Sequence, residues 1–304
     1  MYTQVPWPIW VALILSPILL TSIVSIGKDK HEPTSTFFLS QTWNCYDVIW
    51  ILIIVLLTQS VNLLLVWKRV ITLLQVYTYG ALFLYAVIPS YLYTVLRLKY
   101  RLNISTIGLT FKNSMPNIIL GLRIWFLFEF IFFLVPLLCG KYQFVFNRAQ
   151  KNFILQLSEM PLHQLVIYVL GAIIFAPVVE ESLFRGFMYS PFRRKIGHKW
   201  SVFLTSLIWS LGHYDVRSAG GLIITGIILA YLYVKTESLL PSIIMHSATS
   251  VTGFLIFVYL SLFQNEVLSL ERDKFIMFMA LFFLTGFIIL SIKSRRMSSK
   301  LRAG

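Results

Sequence analysis

Two adjacent glutamates, Glu180 and Glu181, close an apolar helical run, and Arg185 follows one turn later. Residues 164–188 read QLVIYVLGAIIFAPVVEESLFRGFM, so three charges stand in a segment otherwise suited to lipid. A charge at the centre of a membrane helix costs at least ~2.5–3.5 kcal/mol, so it is retained for function or for pairing. On an α-helix Glu181 and Arg185 are i and i+4, about 40° apart, and can form an ion pair on one face. Glu180 lies about 140° from Arg185 and points elsewhere, unpaired. A free carboxylate beside a tethered one leaves one group available as a base.

Two later segments carry the remaining chemistry. Trp209-Ser210-Leu211-Gly212-His213 ends an apolar run with the Trp and the His on one face. His246-Ser247-Ala248-Thr249-Ser250 lies inside another run and aligns His246 with Ser250 in the same way. These residues form a sufficient kit for hydrolysis. Glu180, assisted by His213, can deprotonate a water that attacks a peptide carbonyl. His246 and Ser250 can donate to the tetrahedral oxyanion, where a single donor is worth ~3 kcal/mol. Pro177, three residues before Glu180, interrupts the hydrogen-bond ladder and bends the helix near the carboxylates. Each residue also has a plainer reading: a bundle-stabilising ion pair for Glu181 and Arg185, interfacial water for Glu180, an interfacial position beside Asp215 for His213. Ser250 alone suits an inter-helix hydrogen bond, and Trp209 suits packing. His31, His163 and His198 fall in loops and receive no role.

The elements that must position these groups are membrane helices. Hydrophobic residues make up 58% of the 304 and charged residues 12%, about half the charge of an average soluble domain. Apolar runs able to cross a ~30 Å hydrocarbon core recur at 7–27, 47–67, 70–95, 117–139, 164–184, 199–213, 219–235, 239–263 and 275–292. Some are short and one holds Pro89, so the expected fold is an all-α, polytopic transmembrane bundle of eight or nine helices. The gaps leave no room for a soluble domain of any size. Arg123 and Glu129, six apart within 117–139, lie about 120° apart around the axis, too far for a direct partnership. Arg123 is expected to snorkel toward the interface.

The net charge of +14 does not point to nucleic acid, because Lys and Arg cluster in loops and in the tail KSRRMSSKLRAG. Lys293, Arg295, Arg296, Lys300 and Arg302 follow the last span directly, which is the positive-inside signal and suits anionic lipid headgroups. Residues 97–112 and 193–199 form further positive loops on that side, so the C-terminus is expected to be cytoplasmic. The start, MYTQVPWPIW, lacks the positive charge of a cleavable signal peptide. Cys45 and Cys139 read as small residues, neither a disulfide nor a metal pair.

The pattern Glu-Glu-x-x-x-Arg, aromatic-x-x-x-His, then His-x-x-x-(Asn or similar) resembles the CAAX protease and bacteriocin-processing family of intramembrane endopeptidases. LYVKTESLLPSIIMHSATS is similar to that family's approach to its last motif. The resemblance covers roughly residues 160–255. It implies a helical fold with a conical, membrane-embedded cavity, Glu180 as base with Glu181 beside it, Arg185 as tether, His213 assisting, and His246 with residue 250 as the oxyanion site. Two positions depart from the usual pattern: Trp209 replaces Phe, and Ser250 replaces Asn, giving a shorter donor. On this reading residues 1–160 are divergent N-terminal helices, 161–260 the catalytic core, and 261–304 the last helix with its basic tail.

The expected activity is therefore hydrolysis of a peptide bond without a cofactor. The expected substrate is a prenylated protein, a peptide precursor or a membrane protein, and the further partners are membrane lipids. The address is the plasma membrane in a bacterium or the endoplasmic reticulum in a eukaryote. Two alternatives stay open. Glu180, His213 and His246 are the right types for a catalytic zinc, although no H-E-x-x-H pair pre-arranges two histidines. A non-catalytic immunity or scaffold protein would carry the same helices without the chemistry.

Overall fold

A computed structural model describes residues 36–139, 157, 159–213, 219–262 and 269–303. The secondary structure of these residues is helical, as expected: α1 Thr36–Leu39, α2 Cys45–Trp67, α3 Ala81–Tyr93, α4 Ser114–Cys139, α5 Leu162–Leu170, α6 Ala176–Glu181, α7 Tyr189–Leu211, α8 Ala219–Thr236, α9 Leu240–Leu262 and α10 Ser269–Ala303. Among the described residues six helical stretches are long and apolar enough to cross a membrane, with Leu240–Ile256 a shorter apolar helix. One of the six, Leu162–Leu211, is 50 residues long and bends at Gly197, where φ is 78°. With the shorter helix, the six make seven apolar helical stretches among the described residues, roughly consistent with the eight or nine expected. The first run, residues 7–27, lies outside the described residues. The chain is an integral membrane protein.

Residues 193–199 were expected to form a loop. Instead the backbone turns at the single left-handed Gly197 and helix resumes at once, a conformation that suits a residue without a Cβ. His198, expected in that loop, accepts or donates one hydrogen bond with the Tyr189 hydroxyl at 2.8 Å. His163, also expected in a loop, sits in the first turn of α5.

The chain divides into two compact units, Met1–Phe111 with Phe175–Ser242, and Lys112–Ile174 with Ile243–Gly304. In the first, α2 begins with a reciprocal capping box between Asn44 and Asp47. Asp47, 3% exposed, also receives Lys99 Nζ at 2.5 Å and the Tyr100 hydroxyl at 2.7 Å. That couples the start of α2 to the end of the α3 region. Just before it, Trp43 is fully buried, donates to the Phe187 carbonyl at 2.7 Å and stacks on the Phe187 ring. The entry to α2 is thus fastened to the helix that carries the glutamates.

In the second unit α4 and α10 run antiparallel. Arg123 meets Ser294, Phe126 covers Gly286, and Phe133 stacks on Phe283. Gly286 permits the closest of these approaches, because a Cβ there would lie 2.2 Å from the Phe126 ring. Arg123 and Glu129 take separate partners, as their angular separation requires. Glu129 is 3% exposed and hydrogen-bonds the side chains of Trp125 and Thr252, joining α4 to α9.

Candidate active site

The helix that bears the two glutamates alternates between two hydrogen-bonding patterns. Helix α5 passes into a π-helical turn at Gly171–Phe175, α6 follows with Pro177 in its first turn, and a second π-turn runs over Ser182–Met188. A proline removes one N–H and crowds the carbonyl four residues back, and widening the turn ahead of it relieves that crowding. The interruption expected at Pro177 is therefore met by a π-turn on either side of α6.

Glu181 and Arg185 form the expected ion pair. Arg185 Nη1 donates to Glu181 Oε1 at 2.9 Å, and both side chains are fully buried. Arg185 Nη2 donates to the Gly226 carbonyl on α8 at 3.1 Å. That carbonyl is reachable because α7 and α8 lie unusually close: a Cβ on Gly226 would be 2.8 Å from Ser206 Cβ. The guanidinium also lies 5.0 Å from the centre of the Trp209 ring, within cation–π range.

Glu180 differs from expectation. It is half-buried, and it is not left unpaired: the Trp209 indole N–H donates to Glu180 Oε2 at 2.6 Å. Trp209, expected to serve only packing, is 3% exposed and touches three of the expected site residues. Its face lies under Arg185, its N–H holds Glu180, and its ring meets the His213 ring edge-on at 4.5 Å. A buried indole N–H must find an acceptor, and in the sequence that requirement was the one signal for this bond.

His213 is exposed at the end of α7, and its Nδ1 lies 2.9 Å from the Trp209 carbonyl oxygen. A carbonyl only accepts, so Nδ1 carries the proton and Nε2 presents a lone pair. Glu180, Glu181, Arg185, Trp209 and His213 thus gather within the first unit. His246 and Ser250 belong to the second. His246 is 8% exposed, Ser250 is half-buried, and one helical turn of α9 separates them. Among the described residues no group of three or more His, Cys, Asp and Glu side chains is placed to hold a metal ion.

Residues 162–252 match the family model described as type II CAAX prenyl endopeptidase, Rce1-like. This match spans every residue placed in the site from sequence, from Glu180 to Ser250. The match covers less than half of the chain and makes this region similar to the family that the motifs resemble. No curated protein and no solved structure matches the chain.

Proposed function

We propose that this CAAX-protease-type membrane protein is an endopeptidase that hydrolyses a peptide bond with a water activated by Glu180. The water oxygen attacks the scissile carbonyl carbon as its proton passes to Glu180. His213, through Nε2, steadies the water. His246 and Ser250 donate to the oxyanion of the tetrahedral intermediate. Collapse breaks the C–N bond, and the proton held by Glu180 goes to the leaving amine, giving a carboxylic acid and an amine. The proposed chemistry uses no cofactor.

The observation that carries this reading is the division of labour between the two glutamates. Arg185 is committed to Glu181 and to the Gly226 carbonyl, whereas Glu180 is steered by a neutral indole donor. A neutral donor orients a carboxylate without itself cancelling its charge. Substrates of the proposed enzyme are prenylated proteins, peptide precursors or membrane proteins, cut near the membrane face that bears the basic tail, which we assign to the cytoplasm.

Cleavage of a panel of quenched peptides, prenylated and plain, by purified protein in detergent tests the reading. Wild type should cleave at least one class, and Glu180→Gln should be slower by ~10²–10⁴-fold, the usual contribution of a general base. Cleavage by Glu180→Gln at the wild-type rate would remove Glu180 from the mechanism.

A further inference from the structure

Arg123 stands nine residues into α4, about 14 Å along the helix axis from Ser114, inside a stretch long and apolar enough to cross the bilayer. Its hydrogen bond among the described residues goes to a neutral hydroxyl: Nη1 donates to Ser294 Oγ on α10 at 3.2 Å. Among the described residues its Nε is buried with no hydrogen-bond partner, and so is the hydroxyl of Ser291, one turn before Ser294. No carboxylate pairs with Arg123 among the described residues; Glu129 is engaged by Trp125 and Thr252. A guanidinium with unused donors on a membrane helix calls for an anion.

The location narrows the anion's chemistry. In the sequence the apolar run of α10 ends at Ile292 and charge begins at Lys293, so the Arg123–Ser294 contact lies where hydrocarbon gives way to headgroups. In the sequence Lys293, Arg295 and Arg296 flank Ser294 and add positive charge at that level. A planar fork of N–H donors beside two hydroxyls matches the tetrahedral oxygens of phosphate, which guanidinium binds in a bidentate fashion. We propose that the α4–α10 pair holds a phosphate group between Arg123, Ser291 and Ser294, supplied by the headgroup of an anionic phospholipid in the leaflet that borders the basic tail. This site is independent of the peptidase chemistry, and its occupant would fasten α4 to α10 from the membrane side.

Native mass spectrometry of the full chain, released from mixed phosphatidylglycerol and phosphatidylcholine into detergent, reads the site directly. Wild type should retain phosphatidylglycerol preferentially. In Arg123→Gln the phosphatidylglycerol-to-phosphatidylcholine ratio should fall by at least about fivefold, the effect of one cation near a membrane surface. Lys68→Gln, a change at the end of α2 in the first unit, should leave the ratio unchanged. The double variant Ser291→Ala with Ser294→Ala gives a second reading if Arg123→Gln does not fold. An unchanged ratio in the folded site variants, or an equal fall in Lys68→Gln, overturns the proposal. A parallel arm adds inorganic phosphate: displacement of the lipid shows that the site accepts free phosphate, and persistence of the lipid assigns it to the headgroup.

Discussion

Replacing Arg185 with leucine should unfold the site from its centre. Arg185 and Glu181 are both fully buried, and their pair is closed by a 2.9 Å hydrogen bond. Arg185→Leu keeps an apolar side chain in the space but strands the Glu181 carboxylate and releases the Gly226 carbonyl. Removing one partner of a buried pair costs about 3–5 kcal/mol, because the remaining charge is left without compensation. For a chain of this size each kcal/mol lowers the melting temperature by about 2–4 °C, so the expected fall is roughly 6–20 °C in a detergent melt. The double variant Glu181→Met with Arg185→Leu removes both charges, and apolar replacement of a whole buried pair is often neutral or stabilising. The double variant should therefore melt well above the single one. A fall of less than about 2 °C in Arg185→Leu would refute the reasoning, since such a shift is below a single kcal/mol. So would a double variant at least as unstable as the two single changes added together.

Three further outcomes follow from the same geometry. Trp209→Phe keeps an aromatic face beside Arg185 and loses the N–H to Glu180, so its kcat should fall about tenfold, the low end for a hydrogen bond to a charged group. Trp209→Ala should fall further, and equal rates for the two would show that the ring is not a platform. Gly226→Ala places a Cβ 2.8 Å from Ser206 Cβ and should cost about 1–3 kcal/mol of stability in a melt, as overpacking does, with recovery on adding Ser206→Gly; no recovery would locate the cost elsewhere. Ser250→Asn restores the longer donor usual in the family and should keep or raise peptide cleavage; a large loss would remove residue 250 from the oxyanion site.

The apolar runs made most of the fold legible, because a segment that must satisfy its own backbone in lipid has only the helix available. The run expected at 47–67 became Cys45–Trp67 and that at 219–235 became Ala219–Thr236. The Glu181–Arg185 pair was legible for a related reason, since both partners lie on one helix and the spacing fixes their angle. Partners on other helices were not. Nothing in the periodicity around Glu180 indicates that an indole 29 residues later would reach it, or that Arg185 would find a carbonyl 41 residues on. The second contact depends on how closely α7 and α8 approach, which a small residue at 226 allows. The turn at Gly197 was hidden because the charges around it look like a loop, while one glycine with positive φ kinks the helix in less space.

The central claim is that Glu180 serves as a base acting on water, and single-turnover cleavage of a peptide substrate by wild type and by Glu180→Gln, each with and without a strong zinc chelator, tests it most directly. The account predicts a wild-type rate unaffected by the chelator and a loss of ~10²–10⁴-fold in Glu180→Gln. A wild-type rate abolished by the chelator and restored by zinc would contradict it, and would turn Glu180 from a base into a metal ligand.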